Sequence, residues 1–448
     1  MKLTPLLATS LSLSTTVLAG TLTALTINVA GLPALLNPND VPGSKETNAK
    51  TIGSKFAQYG YDIIHMQEDF NYHAKIYETD NHPYRTATSG GVPFGSGLNT
   101  VSKHAWVDFR RIKWNMCSDA SSSDCLTPKG FTFMRVLIGS NTSGDRSVET
   151  FVDCYNLHTD AGVEPADITA RQANVNQVAA YISTWSQGNA VLVFGDLNSR
   201  YSRTGDTAIR DLLASQNKNG PGLKDAWVEV ERGGAVPTAE TLCSNPSTTD
   251  YCETVDKVFY RSSPLVTLEA DDFGYVSKLF LQPDGNILSD HNPVLVNFTW
   301  TAGTSLRQSG FWGGPHGNWF SDVPALAGLS EPKVSVISLR GGSRLDSVGL
   351  TLVDGTKFNH GGSGGSLVSL TLAASEFLTG AELCQGQRSG QTRNFFIRAV
   401  TSTGRSIQAG TRTTECATFT APSGWQIVGF MGQDGDEVDQ LAFVYAPR

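Results

Sequence analysis

The chain lacks an excess of basic charge. Its 34 lysines and arginines stand against 42 aspartates and glutamates, for a formal net charge of -8. Non-specific nucleic-acid binding rests on phosphate neutralisation, so this balance leaves only a local basic groove as a route to it. Beyond the N-terminal segment there is also no apolar run near the roughly 20 residues that a membrane-spanning helix needs, and no transmembrane segment is predicted. Cysteine is sparse and odd in number, at seven. What is present is 40% hydrophobic residues with 45 glycines and 19 prolines, the composition of a globular, loop-rich, β-heavy protein. At 448 residues the chain is too long for one ordinary core, and two or three domains are expected.

The N-terminus reads as a secretory signal peptide over residues 1–19. Lys2 supplies the positive start, a Ser/Thr-rich apolar run follows, and Val17-Leu18-Ala19 offers a cleavage site after Ala19 or Gly20. The alternative is a buried first strand. A secreted, extracellular protein fits the cysteines, which suit an oxidising compartment. Cys117 with Cys125 and Cys243 with Cys252 each bracket a polar loop and read as staples; Cys384 and Cys416 read as a bridge within the C-terminal region. Cys154 is left over in an apolar strand pattern, as a buried free thiol. Asn141 and Asn297 begin glycosylation sequons, which predicts a glycoprotein.

Residues 20–300 alternate strand-like runs (LTALTINV, YDIIHM, FTFMRVLI, TFVDCYNL, AVLVFG, TVDKVFY, NPVLVNF) with amphipathic stretches. Helices are predicted over 166–187, 45–59 and 208–216, which together suggest two packed sheets flanked by helices. Residues 301–309 are small and polar, without periodicity, and read as a linker. From Gly310 helical periodicity disappears, glycine becomes frequent, and short alternating strands predict a closed all-β module. Its candidates are VSVISLRGG, SVGLTLVDG, GSLVSLTLA, NFFIRAVTS, WQIVGFMGQ and LAFVYAP.

Chemistry-bearing residues sit at the ends of the first domain's strand patterns. Glu68 follows a hydrophobic strand and suits Mg²⁺, which prefers oxygen ligands; Asn28 also ends a strand. Asp196 and Asn198 follow AVLVFG, two apart and so on one side of an extended backbone, with Gly195 permitting a sharp turn. That pair suits a carboxylate holding a nucleophilic water and an amide contacting a phosphate oxygen. Asp290-His291 puts a metal-capable carboxylate beside an imidazole able to move a proton near neutrality. Asp256 is the candidate to orient His291, and His158 can donate to a phosphoryl oxygen. Taken singly, these residues read equally well as surface carboxylates, turn-makers or a structural histidine.

This ordered set resembles the endonuclease/exonuclease/phosphatase superfamily, whose fold is an α/β four-layer sandwich of the DNase I type. The resemblance implies metal-side roles for Glu68, Asn28 and Asp290. It implies contacts to the scissile phosphate from His158 and Asn198, a water-positioning Asp196, an orienting Asp256, and His291 as general base or acid. Mg²⁺ or another divalent cation is the implied cofactor. GSGLNTVSKHAW and DCLTPKGFTFMRV are similar to the secreted sphingomyelinase C branch and make Lys129 a phosphate-proximal cation. A membrane-facing aromatic loop in the 256–290 interval would have to come from Phe273, Tyr275 and Phe280, which also read as core.

Residues 310–448 resemble a jacalin-like lectin domain, an all-β β-prism, through GFWGGPHGNWF with its Gly314 and through the ending GFMGQDGDEVDQLAFVYA. The family's sugar loop maps onto Gly435 to Asp439, with Asp436 and Glu437 where some relatives place an aromatic. The implied contacts are an Asp439 carboxylate accepting sugar hydroxyls and glycine-freed amides donating to ring oxygens. The combined expectation is a secreted Mg²⁺-dependent phosphodiesterase of the sphingomyelinase/phospholipase C type. It acts on a phospholipid head group, touches membrane surfaces transiently, and is targeted to carbohydrate by its lectin domain. The alternatives are a secreted nuclease or inositol phosphate phosphatase of the same fold, or a carbohydrate-binding adhesin with a non-catalytic first domain.

Overall fold

The computed structural model describes residues 18–36, 41–121, 123–142, 144–216 and 222–448. All but two residues of the predicted signal peptide lie outside them. Ala19 already pairs with Thr301 at the start of the strand Ala19–Asn28.

That strand is buried on both faces, and the division of its side chains sets the layering. Leu22 and Ala24 join the core formed with Phe131, Phe133 and Tyr155 of a second sheet. Leu25 and Ile27 point the other way, onto Ala49, Ile52 and Phe56. These belong to the helix Lys45–Tyr59, found where the periodicity predicts it. Full burial of a side chain such as Ile52 or Phe56 contributes about 1.5–3 kcal/mol. The resulting order is helix, sheet, sheet, helix. The fourth layer is the helix Pro165–Trp185, with Val175, Val178 and Ile182 turned inward and a capping box between Glu164 and Asp167. Beside it lies the helix Ala208–Gln216.

The first sheet runs Val266–Tyr275, Val294–Ala302, Ala19–Asn28, Ile63–Gln67, Asn99–Ser102 and Tyr84–Arg85 in lateral order. Phe273, Tyr275 and Phe280 are at most 8% exposed, so they pack the core and form no membrane-facing loop. In the second sheet Gly130–Thr142, Asp145–His158, Ala190–Asp196 and Asp256–Arg261 lie side by side. The predicted disulfides Cys117–Cys125, Cys243–Cys252 and Cys384–Cys416 are all formed, and Cys154 is a buried free thiol. Among the described residues no helix is long and apolar enough to cross a membrane.

Residues from 310 form a prism of β-sheet. Two four-stranded sheets, Val334–Gly341 with its neighbours and Leu378–Arg388 with its neighbours, accompany the long strands Trp425–Asp434 and Val438–Pro447. The last pair does not stand apart from the first domain. Gln308 pairs on one side with Val444 and on the other with Glu149, so a single sheet runs through both domains. The segment 301–309, read from its composition as a linker, is therefore strand-paired at both ends, and Leu306, Arg307, Gln308 and Ser309 are buried. Further contacts close the junction. The Arg135 guanidinium, buried against Asp153 at 2.8 Å, stacks 3.6 Å from the Trp319 ring, and Thr420 donates to Ser147.

Candidate active site

Strand register assembles the site. His158 ends one strand, Asp196 ends its parallel neighbour, and Asp256 begins the antiparallel strand beyond; His158 pairs with Asp196 and Asp196 with Asp256. Three side chains from distant stretches of sequence thus stand in one lateral row. Gly195 is required here for close approach rather than for a turn, because a Cβ would lie 2.2 Å from the Leu157 carbonyl oxygen. On the facing sheet Asn28 ends its strand, and Glu68 follows Gln67 with φ +54°. A non-glycine residue there carries strain on the order of 1–3 kcal/mol. The Gly31 loop rests on the Glu68 carbonyl, where a Cβ would lie 2.3 Å away.

Asp196 is the hub. Its Oδ1 accepts the Asn198 N–H at 2.9 Å, and its Oδ2 accepts Asn28 Nδ2–H at 3.2 Å. The same Oδ2 lies 3.4 Å from His158 Nε2 and 3.8 Å from His291 Nε2. His291 Nδ1 is 2.9 Å from Asp256 Oδ2, the orienting contact expected of that pair. Burial opposes protonation of His291, but Asp256 and Asp196 outweigh it and hold the imidazole well above its ordinary value. His158 goes the other way: burial, reinforced by Lys129, lowers it to about 3, so it is neutral at physiological pH. Burial also opposes ionisation of Asp196, yet the neighbouring imidazoles, His158 and then His291, bring it below the usual carboxylate range. With His158 neutral, Asp196 is kept ionised by His291 first, then by the Asn198 N–H and Lys129.

Lys129 is drawn into the site by Asp124, and its Nζ lies 3.0 Å from His158 Nε2. Asn198, in the left-handed region that asparagine tolerates, donates from Nδ2 to the Thr159 carbonyl at 3.1 Å. One N–H of its side-chain amide is therefore engaged, as its backbone N–H is with Asp196. Asp290 is exposed at the rim, with its charge felt at Glu68 and Lys45.

The donor set fits a hard divalent cation. Asp196 and Asp256 bring carboxylate oxygens within 4.8 Å of each other, beside the His291 imidazole that they hold protonated. The Oε2 of Glu68 and Oδ1 of Asp256 are buried with no hydrogen-bond partner. Burial raises both carboxyls, a cost that a bound cation would relieve.

A polar layer that the candidate residues do not include lies beneath the site. Thr26 donates to Gln67, Gln67 Nε2 donates to Asn156 Oδ1 at 2.7 Å, and Asn156 Nδ2 donates to the Met66 and Asn99 carbonyls. Ser289 Oγ donates to the Asn28 carbonyl at 2.5 Å and accepts from the His291 N–H, tying the His291 loop to the end of a strand in its own sheet. Gln67 sits beside Glu68 and Ser289 beside Asp290 in sequence, so adjacency was the available signal; Asn156, two residues before His158 on one strand, shares its face.

At the C-terminal loop the structure departs from expectation. Asp439 is 2% exposed and ion-paired with Arg393, so its carboxylate is not offered to sugar hydroxyls. Glu437 is equally enclosed, by Arg344, by Arg388 at 2.6 Å and by Arg393 at 3.0 Å. The glycine amides are also engaged: Gly435 N–H donates to Glu437 and Gly314 N–H to Asp439. Asp436 remains exposed.

Residues 43–297 match the profile of the Endonuclease/Exonuclease/phosphatase family 2, and residues 309–444 that of the jacalin-like lectin domain. A sphingomyelinase of Mycobacterium tuberculosis is 37% identical over 296 residues, 64% of this chain and 54% of the relative. The chain thus spans about half the length of that relative. The secreted RxLR effector protein 19 of Plasmopara viticola is 27% identical over 157 residues, 33% of this chain and 84% of the effector. Sphingomyelinase C from Streptomyces griseocarneus, a solved structure, is 19% identical with a TM-score of 0.42, covering 62% of this chain and 99% of its own. A mannose-binding jacalin-related lectin from Ananas comosus is 21% identical with a TM-score of 0.28, covering 32% and 99%.

Proposed function

Because this chain belongs to the Endonuclease/Exonuclease/phosphatase family 2 and carries a jacalin-like lectin domain at its C-terminal side, we propose that it is a secreted, divalent-cation-dependent phosphodiesterase. Its substrate is the phosphodiester of a phospholipid head group, cleaved in the manner of a sphingomyelinase or phospholipase C. The name of its 37%-identical relatives supports that choice. The lectin domain holds the enzyme at carbohydrate-bearing surfaces, and contact with the membrane is transient.

The observation that carries the reading is the row His158–Asp196–Asp256 with His291 hydrogen-bonded at its end. Glu68, Asn28 and Asp290 would hold the cation, with Mg²⁺ the expected ion. When bound, it neutralises phosphate charge and makes water a better nucleophile. Asp256 accepts from His291 Nδ1 and turns Nε2 toward Asp196, where it exchanges a proton with the attacking water or the leaving group. Asp196 is held by Asn28 and the Asn198 N–H, so its remaining lone pairs are directed to position that water. Lys129 presents its ammonium to the developing phosphoryl charge, and neutral His158, accepting from Lys129 at Nε2, holds it in place, a preorganised arrangement of the kind that stabilises transition states.

The test is a panel of sphingomyelin, phosphatidylinositol, inositol phosphates and plasmid DNA, each with Mg²⁺ and with chelator. Metal-dependent release of a phosphorylated head group is the expected result. Cleavage of DNA or inositol phosphates alone would replace the substrate assignment, and no turnover of any substrate would overturn the enzyme reading.

A further inference from the structure

The C-terminal loop shows solvent an unusual face. The carboxylates of Glu437 and Asp439 are 6% and 3% exposed at their side chains, whereas Arg388, Arg344 and Arg393 are 46%, 23% and 18% exposed. The acids lie behind the guanidiniums and orient them: Glu437 takes all three, and Asp439 takes Arg393 a second time. Each guanidinium has five N–H donors in a rigid fork. Three guanidiniums therefore offer far more donors than the four oxygens of two carboxylates can accept. Of the further acidic groups, Asp346 is buried 3.9 Å from Arg344 and Asp436 is exposed.

The loop also lies against the first domain. Gln433, two residues before Gly435, accepts from Arg110 at 3.0 Å and donates to Asp108 at 2.8 Å. Arg110 is 30% exposed and stacks on Trp185 at 3.7 Å. His316, whose ring a Cβ on Gly314 would meet at 2.8 Å, feels the charges of Arg393, Arg110 and Asp108 together. The domain junction thus adds a fourth guanidinium to the same surface.

A neutral sugar needs acceptors as well as donors, and this surface has withdrawn its acceptors. A planar carboxylate on a sugar ring supplies what the guanidiniums lack and matches their fork bidentately. We propose that the loop Gly435–Asp439 is a site for a carboxylate-bearing saccharide, read by Arg388, Arg393 and Arg344 and bordered by Arg110 of the first domain. The proposal rests on the carbohydrate role assigned above to the lectin domain and narrows its ligand class.

Calorimetry on the full chain would compare sialyllactose and trigalacturonate with methyl mannoside and methyl galactoside. Acidic saccharides should bind at least tenfold tighter, and more weakly as salt is raised. Arg388→Gln, at the most exposed position, should lower that affinity roughly tenfold or more with no change in melting temperature. Arg393→Gln should do so more strongly, and Arg110→Gln should weaken it less. Preference for the neutral sugars would overturn the acidic class while leaving the lectin reading standing. Binding of no saccharide would overturn both, and so would capture by phosphatidylserine vesicles in the absence of saccharide binding.

Discussion

Replacing Asp256 by asparagine tests the proton-transfer assignment while preserving shape. The Asp256 Oδ2 to His291 Nδ1 contact is 2.9 Å and is the only protein contact to that nitrogen among the described residues. An amide retains the length but loses the charge. Charge-assisted hydrogen bonds contribute about 1.5–3 kcal/mol against roughly 0.5–1.5 for neutral ones, so orientation weakens by about 1–1.5 kcal/mol, or roughly tenfold in rate. The larger loss is in basicity, because Asp256 is foremost among the groups that raise His291. A general acid or base supplies about 10²–10⁴-fold, which bounds the total from above. For Asp256→Asn we expect kcat to fall about 10²–10³-fold with KM within threefold, measured on a soluble chromogenic phosphodiester. His291→Ala should fall at least as far. A kcat within fivefold of the native enzyme, or a loss carried in KM, would refute the orienting role.

Glu68→Gln should raise the half-saturating Mg²⁺ concentration at least tenfold, and calorimetric titration of Mg²⁺ without substrate should show the same weakening; full native activity in chelator would refute a metal-dependent mechanism. A chain ended after residue 303 should aggregate or melt well below the full protein. It bares the edge of the strand Asp145–His158 and leaves Arg135 without the Trp319 ring; a soluble fragment with unchanged melting temperature would show the domains to be independent. Asp160 is pushed up by burial to about 7 from 3.8, so its contribution to stability is full below pH 4 and lost as pH rises through 7. Asp160→Asn should therefore lose a few degrees less than native between pH 4.5 and pH 8, and parallel melting curves for the two proteins would refute it.

Legibility followed the range of the forces involved. The helices at Lys45–Tyr59 and Ala208–Gln216 coincide with the predicted bounds because their apolar stripe is a local signal. The strands Leu378–Arg388 and Glu415–Thr420 were passed over. The first is interrupted by glycines, and the second exposes half its residues on an edge where cross-strand partners, not its own pattern, decide its state. The two nearby disulfides were readable because few residues separate their cysteines, and Cys154 was readable as the thiol left over.

From residue order alone came the identity of the chemical groups at the first domain's site: which carboxylates, which histidines, and the strand ends that carry them. Strand ends converge wherever parallel neighbours stop together, so a motif at each end is already most of a site. Only the tertiary structure decided three things. The register that sets His158, Asp196 and Asp256 in one row depends on pairing across 38 and 60 residues of chain. The attachment of the second domain depends on the 301–309 segment finding two strand edges, which its polar composition does not announce. The enclosure of Asp439 depends on Arg393, 46 residues away along the chain. A charge's partner is chosen by the fold, and a carboxylate that reads as a sugar acceptor in its own loop becomes the support for a guanidinium once the facing strand brings one to it.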